Sequence, residues 1–131
     1  MTVRVFLVED MKQVQAVLAD LLAGLGDFRL VDTLATEAEA RLWLSEHPAE
    51  WDLAVIDLVL EQGSGMAVIS SAREAARGTG GRVVVFSDYA SDGIRNHCLR
   101  LGADAVFLKS QMREFMDYCS ELDGLAAAPA A

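Results

Sequence analysis

Short, continuous runs of apolar residues alternate along the chain with longer stretches in which apolar residues recur every three or four positions. A continuous apolar run bounded by turn residues indicates a strand that is buried on both faces. The wider spacing indicates an amphipathic helix. The pattern predicts strands over residues 3–8, 28–34, 53–56, 83–86 and 105–108.

A helix is predicted after each of these strands. The first helix carries a single apolar stripe, made of Val14, Val17, Leu18, Leu21, Leu22 and Leu25. Thr36 and Glu39 fit a capping box that opens the second helix. That helix extends through Glu46, because Pro48 excludes a longer one.

The remaining helices complete a regular alternation. The third covers residues 68–72, the fourth runs from about 91 to 101, and the fifth runs from a Ser110 cap to Leu122. Five strand–helix repeats predict an α/β fold with helices on both faces of one parallel sheet. We expect a single domain over residues 1–124 and a flexible tail of alanine and proline over 125–131.

The charge balance narrows the choice of partners. The chain has 11 basic and 20 acidic side chains, for a formal net charge of −9. Nucleic acids and anionic membranes repel such a chain, so we expect neither as a partner. The surplus of acidic side chains is compatible with a divalent-cation site.

The cysteines and the apolar segments indicate a cellular location. Cys98 and Cys119 both recur with apolar neighbours at helical spacing, which predicts small core residues without a redox role. No signal peptide opens the chain, and no apolar run approaches the roughly 20 residues that span a bilayer. We therefore expect a reduced, cytoplasmic protein.

Chemically reactive side chains follow four of the predicted strands. Glu9 and Asp10 follow the first, Asp57 the third, Ser87 the fourth and Lys109 the fifth. Because ligands of open α/β sheets bind beyond the carboxyl ends of the strands, we expect these residues to line one pocket. Clustered carboxylates raise the pKa of at least one member unless a cation such as Mg²⁺ binds. With a hydroxyl and an ammonium group beside them, they suit a phosphoryl group and a carboxylate nucleophile.

Four segments in this order resemble the response-regulator receiver domain of bacterial two-component systems. They are residues 5–10 (VFLVED), 54–65 (AVIDLVLEQGSG), 83–87 (VVVFS) and 102–109 (GADAVFLK). The likeness extends from Val3 to about Leu122. It implies a flavodoxin-like, doubly wound sheet of five parallel strands in the order 2-1-3-4-5, with five helices.

The resemblance also implies a role for each strand-end residue. Asp57 is similar to the phosphoacceptor and is also expected to bind Mg²⁺. Asp10 is similar to a direct Mg²⁺ ligand and Glu9 to a ligand that acts through water. The backbone carbonyl of Val59 is expected to be the third protein ligand of Mg²⁺.

The other implied roles concern signalling. Ser87 is expected to sense the phosphoryl group, and Lys109 to supply its counter-charge. A histidine kinase or a histidine phosphotransfer protein would donate the phosphoryl group, and an unknown downstream protein would read the result. The chain would catalyse only its own phosphorylation and dephosphorylation, so we do not expect an enzyme in the ordinary sense.

Three positions depart from the family's pattern. Val106 stands where the family often has an aromatic switch residue, and Ser110 where a proline in a cis bond commonly follows the lysine. Glu61 replaces a frequent proline four residues after the phosphoacceptor. These differences concern the output mechanism more than the phosphorylation chemistry.

Other functions were weighed against this interpretation. Glu9 and Asp10 occupy the turn where a dinucleotide-binding domain needs glycines and a flavodoxin needs phosphate-binding donors. A haloacid-dehalogenase-type phosphatase needs an acid at the position of Val59. The main alternative is a pseudo-receiver, a protein-interaction module that works without phosphorylation. A stand-alone receiver, a phosphorelay intermediate and a receiver from a longer protein all stay open.

Overall fold

The computed structural model describes the backbone of residues 2–127 and the side chains through Leu122. Strands and helices alternate five times, as β1 Val3–Val8, α1 Lys12–Leu25, β2 Phe28–Leu34, α2 Glu37–Glu46, β3 Leu53–Ile56, α3 Gly65–Ala75, β4 Arg82–Ser87, α4 Asp92–Leu101, β5 Ala105–Leu108 and α5 Met112–Ala127. Within the described part of the chain, no helix combines the length and the apolar character needed to cross a membrane.

The five strands form one parallel sheet in the order β2-β1-β3-β4-β5. The strand order and the number of helices agree with the flavodoxin-like fold that the sequence predicts. β1 lies between β2 and β3, and the chain reverses its direction of travel across the sheet there. Such a reversal opens a crevice beyond the carboxyl ends of the central strands.

Alternate side chains of the strands enter two separate cores. Phe6, Val8 and Ile56 point to the face covered by α2, α3 and α4. Val5 and Val55 point to the opposite face, covered by α1 and α5. All five are at most 1 % exposed, and full burial of such side chains contributes about 1.5–3 kcal/mol each. This double burial explains why the strands read as continuous apolar runs in the sequence.

The ends of two elements differ from the prediction. β4 includes Ser87 as its last residue, so Ser87 belongs to the sheet. α5 begins at Met112, and the cap predicted at Ser110 is wrong: the carbonyl of Gln111 accepts the hydrogen bond of the Phe115 N–H, and Gln111 Oε1 accepts that of Leu108. Gln111 is therefore the residue that precedes the helix, and its side chain bonds back to the end of β5 instead of to the first helical turn.

The carboxyl end of α5 also extends beyond the predicted Leu122. The helix continues to Ala127 and so takes in the first residues of the tail predicted at 125–131. Residues 128–131 lie outside the described residues.

Both cysteines occupy the core positions predicted for them. Cys98 lies on the buried face of α4 and Cys119 on the buried face of α5, and both are fully buried free thiols. Burial raises the pKa of the Cys119 thiol to about 12. The thiolate that would be needed for redox chemistry is therefore strongly disfavoured.

A polar clamp joins β1 to the start of β3 at the amino-terminal edge of the sheet. Asp52 Oδ2 accepts hydrogen bonds from the Arg4 backbone N–H at 2.8 Å and from Arg4 Nε at 3.1 Å. Burial alone would raise the pKa of Asp52, but the hydrogen bonds from Arg4 hold it below its usual value.

We predict that Asp52→Asn lowers the free energy of unfolding at neutral pH by about 0.5–1 kcal/mol, because both ionic side chains are near 40 % exposed. A folded-state pKa below the unfolded value gives stability that is present above about pH 4 and is lost as pH falls through the folded value. The difference between wild type and variant in urea denaturation should therefore vanish in acid. The exposed Glu50, as Glu50→Gln, is the control; a pH-independent difference for Asp52→Asn would contradict the assignment.

Candidate functional site

The register of the sheet brings the predicted reactive residues to one edge. Val8 pairs with Ile56, and the Asp57 N–H donates to the Val8 carbonyl at 2.9 Å. Asp57 therefore lies beside the residues that follow β1. On the other side, the Lys109 N–H donates to the Ser87 carbonyl at 2.9 Å, which places Lys109, the residue after β5, beside the end of β4.

Glu9, Asp10 and Asp57 form an acidic cluster at this edge. One carboxylate oxygen from each lies within 4.8 Å of the others. Glu9 is 1 % exposed and Asp57 6 %, whereas Asp10 is partly exposed. Buried carboxylates at this spacing repel one another strongly and require compensation by a positive charge.

Lys109 provides part of that compensation. Its Nζ lies 2.7 Å from Glu9 Oε1 and 3.2 Å from Asp57 Oδ2. Burial alone would lower the pKa of Lys109, but the hydrogen bond to Glu9 and the charge of Asp57 raise it above its usual value. The side chain is therefore a permanent cation that bridges two of the three carboxylates.

The pKa of Glu9 is shifted by its place in the cluster. Burial raises the pKa of Glu9 above its usual value and the charge of Asp57 adds to the rise, although Lys109 and the Met11 N–H oppose it with hydrogen bonds. A raised pKa in one carboxyl group of the cluster is what the sequence predicts, but burial contributes more to the rise than the neighbouring charge of Asp57 does. One ammonium cannot neutralise three carboxylates, so the site retains an excess of negative charge.

An open pocket of about 320 Å³ lies over the cluster, lined among others by Asp10, Asp57, Val59, Tyr89 and Lys109. A larger groove of about 810 Å³ runs between α2 and α3, but its lining includes neither the acidic cluster nor Lys109. Chemistry therefore assigns the smaller pocket as the candidate site. Carboxylate oxygens are the ligands that a hard divalent cation prefers, and their excess charge fits one.

Ser87 lies deeper than the sequence alone indicates. It is fully buried, and its Oγ accepts a hydrogen bond from the Tyr89 N–H at 3.3 Å. It does not line the pocket, where Asp88 and Tyr89 are the residues contributed from the end of β4. The structure thus places the Ser87 backbone next to Lys109 and keeps its hydroxyl under the following loop.

The positions that depart from the family's pattern make specific contacts. Val106 is 1 % exposed, and its carbonyl accepts a hydrogen bond from Arg95 Nη1 at 3.1 Å. The described residues contain no cis peptide bond. The Glu61 N–H donates to Asp10 Oδ2 at 2.7 Å.

The contact between Glu61 and Asp10 is a feature that the sequence analysis missed. A proline at position 61 has no N–H, so the available signal was the absence of proline. The sequence also gives no indication of the hydrogen bond that the Met11 N–H donates to Glu9 Oε2 at 3.1 Å. Backbone donors carry no residue-type signature and are visible only once the fold is known.

The start of α3 packs directly against the site. The Gly65 N–H donates to the Leu58 carbonyl at 3.0 Å, and a Cβ at Gly65 would overlap the backbone carbonyl oxygen of Asp57. Glycine is therefore required at this position by the close approach of two backbone segments.

We predict that Gly65→Ala lowers the free energy of unfolding by about 1–3 kcal/mol, since backbone must move to relieve the overlap. Gly24→Ala is the matched control, because a Cβ at Gly24, inside α1, meets no atom within 4 Å. It should raise stability by about 0.5–1 kcal/mol. Urea denaturation of both variants measures the difference, and equal effects would show that the packing at Gly65 is looser than described.

Solved structures with the same fold are similar to this chain. A phosphorylated cyanobacterial phytochrome response regulator, RcpA, superposes with a TM-score of 0.80 at 23 % identity and covers 99 % of this chain and 100 % of its own. The response regulator domain of Thermotoga maritima CheB gives 0.77 at 20 % identity, with 98 % and 100 % covered. A chain of the CheX-CheY-BeF3-Mg+2 complex from Borrelia burgdorferi gives 0.76 at 20 % identity, with 88 % of each chain covered. At these identities, the similarity establishes the fold.

The sequence itself establishes the family. Comparison with curated proteins gives no match. Residues 5–118 match the family described as the response regulator receiver domain. That span contains all the strand-end residues described above, and the chain belongs to this family of two-component receiver domains.

Proposed function

We propose that the chain is a phosphoacceptor signalling domain that is phosphorylated on Asp57 with the help of Mg²⁺. One observation carries the proposal: Lys109 Nζ bridges Glu9 and Asp57 inside a cluster of three carboxylates that opens into a pocket. A purely structural ion pair would need neither the third carboxylate nor access to solvent.

The chemistry assigns one role to each side chain. An Asp57 oxygen attacks phosphorus and forms an acyl phosphate as the bond from phosphorus to the donor breaks. Lys109 is already within reach of Asp57 and offsets charge on the phosphoryl oxygens. Asp10, Asp57, Glu9 and the Val59 carbonyl are the proposed holders of Mg²⁺, which would neutralise the charge of the phosphoryl group.

Signalling would proceed by contacts with other proteins. The Ser87 hydroxyl is held by the Tyr89 N–H. A bond to a phosphoryl oxygen would replace that contact and move the loop after β4. Val106 has no ring to rotate, so Arg95, which donates to the Val106 carbonyl, is the available link between α4 and β5.

The proposal includes the partners and the setting. The donor would be a histidine kinase or a histidine phosphotransfer protein, and the reader a protein of unknown identity. The chain would not turn over a separate substrate, which is why we do not class it as an enzyme. A cytoplasmic location and the lack of a nucleic-acid partner remain predictions.

We predict that acetyl phosphate adds one phosphoryl group to the protein in the presence of Mg²⁺ and none after chelation. Asp57→Asn should abolish the adduct, since an amide is not a comparable nucleophile. Asp88→Asn is the matched control, because Asp88 also lines the pocket. Intact-mass measurement reads the result. A wild type that stays unmodified with both small-molecule donors and a phosphorylated histidine phosphotransfer protein would favour the pseudo-receiver alternative.

We also predict that phosphorylated Asp57 hydrolyses slowly. Hydrolysis needs a water in line with the bond to phosphorus. Val59 and Tyr89, which are 53 % and 60 % exposed, flank the pocket. The Val59 side chain has no polar group to orient a water, and the Tyr89 ring is large enough to cover the phosphoryl group. Loss of the adduct, followed by mass over time in Mg²⁺ buffer, should be faster in Val59→Asn and Tyr89→Ala than in wild type. Met11→Ala, in the same pocket, should behave as wild type; loss within seconds in wild type, or unchanged rates in both variants, would contradict the shielding.

A further inference from the structure

The loop between β3 and α3 carries the Val59 carbonyl, and acidic side chains hold this loop at two points. Asp10, from the end of β1, accepts the Glu61 N–H at 2.7 Å. Glu37, from the first turn of α2, accepts the Ser64 N–H with its Oε1 at 2.8 Å. Asp10 belongs to the acidic cluster, whereas Glu37 lies outside it.

The contact of Glu37 with the loop is reciprocal. The Glu37 N–H donates to the Gln62 carbonyl at 3.1 Å, while its side chain accepts from Ser64. Gly63, between these two residues, has a φ of +93°, and a Cβ there would overlap the Cβ of Glu37. The loop is therefore shaped to lie against this one side chain.

Ser64 transmits the restraint to the site. Ser64 and Val59 face each other as an antiparallel bridge pair across the loop. The Val59 N–H in turn points at Asp57 Oδ1, at 3.4 Å. Fixing Ser64 thus fixes the peptide groups of Val59, one of which carries the carbonyl proposed as a cation ligand.

We infer that Glu37 is a positioning residue for divalent-cation binding, acting through Ser64 on the loop that carries Val59. This inference rests on the proposed function, because it assumes that the acidic cluster binds Mg²⁺. Glu37 itself does not touch the cation. Its carboxylate oxygen matters as an acceptor for the Ser64 N–H, and its charge is secondary.

The test compares Mg²⁺ affinities in a titration with MgCl₂, followed by backbone amide chemical shifts. Glu37→Ala loses the acceptor and should weaken binding about fivefold, the effect of one ordinary hydrogen bond. Glu37→Gln retains an acceptor oxygen without the charge and should stay within about twofold of wild type. Glu46→Ala is the control, because Glu46 is an exposed acid of the same helix at the end away from the loop.

The amide spectrum also reports whether each variant is folded. If Glu37→Ala proves unfolded, Gly63→Ala approaches the same contact from the loop, leaves the charge of Glu37 intact and should also weaken Mg²⁺ binding. The inference is overturned if Glu37→Ala is folded and binds Mg²⁺ with wild-type affinity. It is also overturned if folded Gly63→Ala does so. An equal loss in Glu37→Gln and Glu37→Ala overturns it as well, since charge would then be the cause.

The same titration separates this inference from the proposed function. A wild type without saturable Mg²⁺ binding refutes the metal site, and the role of Glu37 with it. Saturable binding that Asp10→Asn weakens and Glu37→Ala leaves unchanged refutes the role of Glu37 alone.

Discussion

The bridge that Lys109 makes between Glu9 and Asp57 is the interaction on which the rest of the site depends. Burying two carboxylates side by side is strongly unfavourable, and an ion pair in such a place gives little net stability of its own. The ion pair matters because it fixes the relative positions of three strand ends. An ammonium group at the end of β5 holds together side chains from the ends of β1 and β3, so the outer strand must stay in register with the inner ones.

This arrangement leaves an excess of negative charge at the site, which favours the binding of a cation. Lys109 neutralises part of the negative charge, and burial together with the charge of Asp57 raises the pKa of Glu9. Mutual repulsion that folding cannot remove is a driving force for binding a cation. The same ammonium faces Asp57, the carboxylate proposed to be modified, so one positive charge serves both the resting cluster and a phosphoryl group.

Features that depend on periodicity could be predicted from the sequence, and features that depend on backbone donors could not. Buried parallel strands appear in the sequence as apolar runs, so the end of each strand can be located. Glu9, Asp10, Asp57 and Lys109 follow such ends and could therefore be placed at one edge of the sheet. Ser87 follows the same apolar pattern, yet no pattern distinguishes a hydroxyl in the pocket from one beneath the next loop. The start of α5 differs from the prediction because Gln111, which carries no capping signature, precedes the helix and accepts the Phe115 N–H with its backbone carbonyl.

Glu61, which stands where the family often has a proline, changes how the loop after β3 is held and leaves the reactive Asp57 unchanged. Proline at this position would stiffen the loop by fixing φ and would leave Asp10 without a backbone donor. Glutamate gives up that stiffness but supplies the N–H that Asp10 accepts. Restraint of the loop then comes from hydrogen bonds to β1 and α2 in place of the pyrrolidine ring. A loop held this way connects the acidic cluster to α2, because Asp10 anchors it at one point and Glu37 at the other.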